Sequence, residues 1–177
     1  VGVVGFNGKG GQHIQVFHNL ENVRVVALSD ADEGVMQREI GKFAEQGESV
    51  KTFQDMRYLY DQKDVDVVVI AAPNHWHSLT GIWAMQAGKD VYVEKPVSFS
   101  INEGRAMIQA ARKYNRVVQV GTQSRSDRVV LEAMDFLHSG KLGDLYMARG
   151  VYFGPRESIG HKPDSEIPDG VDWDLFL

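Results

Sequence analysis

The sequence contains no cysteine, which excludes a disulfide scaffold, thiolate catalysis and any cysteine-ligated zinc or iron–sulfur site. It has no long apolar run either. The longest, Val67 to Ala72, is six residues, where a membrane-spanning helix needs about 20. Positive charge is not in excess: 19 Lys and Arg against 24 Asp and Glu leave a formal net charge of -5, which argues against a nucleic-acid binder that relies on neutralising phosphates. Internal repeats and low-complexity tracts are missing as well. The first residue is Val, not Met, and it already lies in an apolar run. The numbering is therefore expected to start within a longer chain, and the lack of a leader segment carries no weight. What remains is 177 residues, 43% of them hydrophobic, enough for one globular domain or for one domain and the beginning of a second. Glycine is plentiful, at 18 residues, and scattered, as expected of tight turns and close backbone approaches.

Short apolar runs rich in β-branched residues alternate with segments of helical period, the pattern of a parallel sheet covered by helices. The expected strands are Val1 to Gly5, Asn22 to Ser29, Val65 to Ala72, Asp90 to Glu94 and Arg116 to Gly121. Helices are expected over Gly10 to Leu20, Asp32 to Glu45, Asn74 to Ala87, Asn102 to Tyr114 and Asp127 to His138, with a short one at Asp55 to Tyr60. Local punctuation agrees. Ser100 and Glu103 have the spacing of a capping box, Gly88 and Gly140 stand where helices end, and Asn74 can cap the helix behind it. After Gly143 the character changes. Leu145 to Phe153 is an aromatic-rich strand candidate, followed by an irregular acidic segment and a structured apolar stretch, Val171 to Leu177. The expected organisation is a Rossmann-type, doubly wound α/β domain over residues 1–143. Residues 144–177 are then the first strand and loop of a truncated C-terminal α+β sheet domain for substrate binding and oligomerisation. A structured loop returning to the first domain is the alternative.

The opening VGVVGFNGKGGQHI is a strand, a glycine-rich turn and a helix start, which is the context of a dinucleotide fingerprint. In G-x-G-x-x-G register the positions are Gly5, Asn7 and Gly10, so the middle glycine is replaced. Asn tolerates unusual backbone angles, and Gly8 and Gly11 can supply the lost room. Helix N-terminal amides then face a pyrophosphate, with Lys9 available to pair with it. A P-loop does not fit, because no Gly-Lys-Ser/Thr follows the turn. Asp30 lies 20 residues after Gly10, where a ribose-binding acid is expected. A carboxylate there accepts the 2'-hydroxyl and repels a 2'-phosphate, so NAD is favoured over NADP. The other reading of Asp30 or Asp32 is a cap on the next helix. The third strand runs into AAPNHWH, and doubly wound sheets bind ligands beyond the carboxyl ends of their strands. Asn74, His75 and His77 are thus placed to meet a ligand or to be ordinary helix-start residues. The His-x-His pair lacks a cysteine or nearby carboxylate to complete a tetrahedral set, so no metal is expected. The next strand ends in VYVEKPVS. Proline forces Lys95 out of the helical region and holds it at the strand end, where it can hydrogen-bond a hydroxyl or donate a proton. QVGTQSRS brings Gln119, Gln123 and Arg125 to the same edge.

Taken in order, VGVVGFNGKGG, ALSDAD, APNHWHS, AGKDVYVEKPVS, EGRAMIQAARKYNRVVQVGTQSRS and PRESIG through VDWDLFL resemble the glucose-fructose oxidoreductase / inositol dehydrogenase (Gfo/Idh/MocA) family. The likeness implies a two-domain NAD(P)-dependent oxidoreductase acting on sugars, cyclitols and related pyranoses, homo-oligomeric as a whole enzyme. By the same likeness Gly5, Asn7, Gly8 and Gly10 bind the pyrophosphate and Asp30 the adenosine ribose. Pro73, Asn74 and His77 line the cofactor cleft, Glu94 and Lys95 face the nicotinamide, and Gln123 lies on the substrate side. Lys95 is the implied catalytic residue, and the Lys95–Pro96 bond is expected to be cis. Asn7 departs from the family's second glycine. The family's second proton-transfer residue, a His or Asp, falls in the second domain beyond Leu177, so the chain alone is expected to bind NAD without turning over a sugar. A branch of NAD-dependent glycosidases shares the fingerprint but usually lacks the lysine of Glu-Lys-Pro. A non-catalytic NAD-binding module is the remaining alternative.

Overall fold

β-Branched residues fit a pleated surface buried on both faces. In the computed structural model, which describes Val1–Leu177, the expected apolar runs become strands of one parallel sheet. Its strands are β1 (Gly2–Val4), β2 (Ala27–Ser29), β3 (Lys51–Phe53), β4 (Val67–Ile70), β5 (Asp90–Glu94) and β6 (Val118–Gly121). They lie in the order β3-β2-β1-β4-β5-β6, every neighbouring pair parallel. This is the Rossmann order, in which the strand order reverses between β1 and β4 and leaves a crevice at their carboxyl ends. Successive side chains on the central strands point to opposite faces. Val3, Leu28 and Val69 pack with Ile14, Val35 and Phe43 on one side, and Val4, Val68 and Ile70 with Leu59, Met85 and Met107 on the other.

Helices α1 (Lys9–His18), α2 (Glu33–Glu45), α3 (Met56–Tyr60), α4 (His77–Gln86) and α5 (Ile101–Tyr114) connect the strands. Their starts follow the local chemistry. Asp32 accepts the Gly34 and Val35 amides at 2.8 and 3.2 Å, and Ser100 accepts the Glu103 amide at 3.3 Å. Glu103 in turn accepts the Phe99 amide at 2.9 Å, closing the expected capping box one residue early. Asn74 does not cap α4; it opens a 3₁₀ turn, Asn74–Trp76, and α4 starts at His77 without a side-chain cap.

By internal contacts the chain forms two compact units, residues 1–121 with 167–177, and residues 122–166. The smaller unit contains a 3₁₀ turn at Gln123–Ser126 and helix α6 (Arg128–His138), capped by Asp127 through the Val129 amide at 2.9 Å. The strand expected at Leu145 to Phe153 is not formed. A strand must pair its N–H and C=O groups with a neighbouring ladder, and no other segment pairs with this one. In the larger unit, residues 167–177 end in the short helix α7 (Trp173–Phe176). An antiparallel bridge joins Asp32 to Val171, the Asp172 amide donates to the Ala31 carbonyl at 2.9 Å, and the Glu33 amide donates to the Gly170 carbonyl at 3.0 Å.

Candidate functional site

The turn from β1 to α1 is built by close packing that only glycine allows. Gly5 has φ +75°, and a Cβ there would come within 2.5 Å of the Ala72 Cα and amide nitrogen. A Cβ at Gly10 would overlap the Gly5 carbonyl oxygen and approach Phe6 Cβ to 3.1 Å. These two glycines therefore bring the strand end, the helix and the end of β4 together. Gly8 differs, because a Cβ there meets nothing within 4 Å and would project into open space. Gly8 is the N-cap of α1, so unpaired helix-start amides lie beside that opening. Asn7, in place of the middle glycine, is exposed, and its Oδ1 accepts from Arg38 Nη2 at 2.7 Å. Lys9 is exposed and donates from Nζ to Gln12 Oε1 at 2.9 Å.

Asp30 and Asp32 divide the two roles that the sequence left open. Asp32 caps α2, whereas Asp30 Oδ2 accepts the Phe6 amide at 2.9 Å and Oδ1 accepts the Asp32 amide at 3.2 Å. Asp30 is thereby tied to the turn that follows β1. Burial pushes its carboxyl above the usual carboxylate range; the two backbone donors oppose that rise, the nearby Asp32 charge adds to it, and Arg38 opposes it. Each Asp30 oxygen keeps a second lone pair for another donor.

A cleft of about 310 Å³ lies along these groups, at the low end of the range of small-molecule sites. Gly5, Asn7, Gly8, Lys9, Asp30 and Pro73 line it, joined by Trp76 and by Leu175 and Phe176 of α7. The last three were not among the residues singled out by sequence. Trp76 belongs to the AAPNHWH segment, while Leu175 and Phe176 carry no local signal and reach the cleft only because residues 167–177 dock on the β2 end.

Asn74 is exposed and not on the cleft wall, and His77 faces inward. The His77 ring is 1% exposed, with Nδ1 2.6 Å from the Pro96 carbonyl oxygen and Nε2 2.8 Å from the Ala72 carbonyl oxygen. A ring bearing hydrogen on both nitrogens satisfies both carbonyls; with one hydrogen it satisfies one. His77 thus joins the ends of β4 and β5. Ser78 Oγ adds a bond to the Val97 carbonyl at 3.2 Å. At the end of β5, Lys95 is exposed and its bond to Pro96 is cis. Glu94 is buried, with Oε1 2.8 Å from His13 Nε2 and Oε2 accepting the Lys95 amide at 3.2 Å. Burial, and secondly the Glu94 charge, push the neighbouring Tyr92 phenol up. Gln123 has φ +47° and belongs to the smaller compact unit.

The groups present fit a dinucleotide. An N-terminal helix opening with room beside it suits a pyrophosphate, and a carboxylate at the end of β2 with free lone pairs suits a ribose hydroxyl.

A model of the Gfo/Idh/MocA oxidoreductases, described as an oxidoreductase family with an NAD-binding Rossmann fold, matches residues 1–122. The chain is 31% identical over 172 residues to inositol 2-dehydrogenase of Salmonella typhimurium strain LT2, covering 96% of this chain and 49% of that protein. It is 27% identical over 174 residues to a glycosyl hydrolase family 109 protein of Shewanella sp. strain W3-18-1, covering 93% and 38%. Among solved structures, the WlbA dehydrogenase of Bordetella pertussis in complex with NADH and UDP-GlcNAcA has the same fold, with a TM-score of 0.72 and 23% identity over 81% of this chain and 42% of that one. The chain spans about half the length, or less, of these relatives.

Proposed function

Because this chain belongs to the Gfo/Idh/MocA family of NAD-binding Rossmann-fold oxidoreductases, we propose that it forms the cofactor half of an NAD-dependent enzyme acting on a sugar or cyclitol CH–OH group. The observation that carries the reading is the cleft itself, in which Asp30 and the open N-terminus of α1 are joined by one short turn. The bound nicotinamide would supply the hydride acceptor. The remaining work falls to side chains of this chain. Helix-start amides at Gly8 and Lys9, with the Lys9 ammonium, would hold the pyrophosphate. Asp30 would accept the 2'-hydroxyl and disfavour a 2'-phosphate, so NAD is preferred over NADP. Pro73 and Trp76 would flank the cofactor. Lys95, exposed at the end of β5, would as the neutral amine accept the hydroxyl proton as hydride leaves the carbon, and as the ammonium return it in the reverse direction. Gln123 would contribute on the substrate side, and the whole enzyme would be a homo-oligomer.

Thermal shift of the 177-residue chain tests the cofactor claim. NAD at 100 times its dissociation constant stabilises by about 2.7 kcal/mol, a rise of roughly 5 to 11 °C for a chain of this size. A smaller shift is expected with NADP. No shift with either nucleotide, or a larger one with NADP, overturns the assignment. In the complete enzyme, Lys95→Ala is expected to lower kcat by about 100-fold or more with NAD still bound.

The glycosyl hydrolase relatives favour one second reading, a glycosidase that oxidises its sugar transiently, eliminates the glycosidic group and returns the hydride. NADH accumulating in step with product supports the dehydrogenase. Product forming with no net NADH supports the glycosidase.

A further inference from the structure

Lys95 stands between two residues that are each gripped by a buried histidine from a different helix. On its C-terminal side the Pro96 carbonyl meets His77 of α4 at 2.6 Å. On its N-terminal side Glu94 meets His13 of α1 at 2.8 Å. The second pair is chemically the more informative. His13 and Glu94 are 7% and 5% exposed, and removing a carboxylate from water is costly unless its oxygens are bonded. An ionised carboxylate only accepts, so with Glu94 ionised the donor is His13 Nε2. The other oxygen, Oε2, accepts the Lys95 backbone N–H at 3.2 Å. The His13 ring itself is held edge-on by Tyr92, with centroids 5.2 Å apart. Apolar residues of similar volume would fill that space without burying two polar side chains.

Resting on the reading above, in which Lys95 handles the substrate proton, we propose that His13 is a positioning residue that acts through Glu94 to fix the Lys95 main chain. The chain of contacts runs from α1, whose first turn faces the dinucleotide phosphates, through His13 one turn further on, to Glu94 and then to Lys95. The cofactor seat and the reactive lysine are thereby built on one rigid connection instead of two independent loops. A lysine has four flexible side-chain bonds, so a fixed main chain sets the limit on where its ammonium can go. Misplacing such a group by about 1 Å can cost about 100-fold in rate.

The test uses the complete enzyme and reads kcat, substrate KM and the NADH dissociation constant for His13→Asn, His13→Gln, Glu94→Gln and Lys95→Ala. Gln places its amide nitrogen at about the reach of Nε2, whereas Asn matches Nδ1. His13→Asn is therefore expected to lower kcat about 10- to 100-fold with the NADH dissociation constant nearly unchanged, and His13→Gln to restore most of the rate. In a Glu94→Gln background, His13→Asn should cost little more, because its route to Lys95 has already been weakened. Full kcat in His13→Asn, equal losses for Asn and Gln, or additive losses in the double variant overturn the positioning role. If His13→Asn does not fold, Glu94→Gln carries the test: a lowered kcat with NADH still bound supports the role, and an unchanged kcat overturns it. Lys95→Ala separates the two claims. An inactive Lys95→Ala beside a fully active His13→Asn overturns the positioning role alone, and a fully active Lys95→Ala overturns the parent reading together with it.

Discussion

Replacing Gly5 by Ala tests the turn on which the whole cleft depends. Gly5 sits at φ +75° and its added Cβ would lie 2.5 Å from two backbone atoms of Ala72 and 2.9 Å from the Ala71 carbonyl carbon. Backbone at the end of a central strand cannot swing aside as a side chain tip can. The left-handed conformation costs Ala about 1 to 2 kcal/mol, and forcing one carbon into a packed site adds about 1 to 3 kcal/mol. The sum, about 2 to 5 kcal/mol, lowers the melting temperature of a chain of this size by roughly 4 to 20 °C. Gly41→Ala is the control. Gly41 lies inside α2, exposed, with nothing within 4 Å of its added Cβ. There the same methyl group should stabilise by about 0.5 to 1 kcal/mol by restricting the unfolded chain. Thermal unfolding followed by circular dichroism measures both. A Gly5→Ala protein melting within about 2 °C of the parent, or a Gly41→Ala protein falling as far as Gly5→Ala, refutes the reasoning.

Asp30→Asn is expected to weaken NAD about 10- to 100-fold, the worth of one charged hydrogen bond, and to narrow the preference over NADP in the same titration. Because burial raises the Asp30 carboxyl, NAD affinity should begin to fall on acidification above the ordinary carboxylate range; affinity flat down to that range counts against the ribose role. Stability without ligand has the opposite sign, since the folded state holds this proton more tightly than the unfolded chain and ionising Asp30 as pH rises costs stability. Phe176→Ala removes an aromatic wall of the cleft and should weaken NAD about 2- to 10-fold; unchanged affinity in calorimetry would show that α7 contributes nothing. His77→Ala leaves the Ala72 and Pro96 carbonyls without their ring partner and should cost about 2 to 5 kcal/mol in urea unfolding, with a cost under about 1 kcal/mol excluding the clamp.

Much of the sheet and its helices was legible because the signals are local. Valine-rich runs marked β1, β4 and β5, helical stripes marked α1, α2, α4 and α5, and Asp55 and Asp127 announced the starts of α3 and α6. β3 was missed. Lys51–Phe53 is short, polar at one end and only partly buried, so nothing in its composition separates it from a loop; its pairing with β2 makes it a strand. The expected strand at Leu145 to Phe153 erred in the other direction, since its composition suits a strand but no ladder receives it. Gly5 and Asp30 of the cleft, and Gly10 packed behind its turn, were legible from spacing, because a strand, a tight turn and a helix leave few arrangements. His77 read as a ligand-facing residue and is instead turned onto two backbone carbonyls. Side-chain direction at a helix start depends on what packs beneath it, and that is absent from local sequence.

By itself the sequence determined the alternation of elements, the glycines that the first turn requires and the acid at the end of β2, since each follows from conformational limits acting over a few residues. Tertiary structure alone decided which distant groups meet: His13 with Glu94, 81 positions apart, His77 with Pro96, and α7 with a cleft formed by the opposite end of the chain. The physical reason is that local sterics and hydrogen bonding choose an element. Its partners are chosen by the burial of whole faces, and that is settled only when the sheet order brings residues far apart in sequence to the same edge.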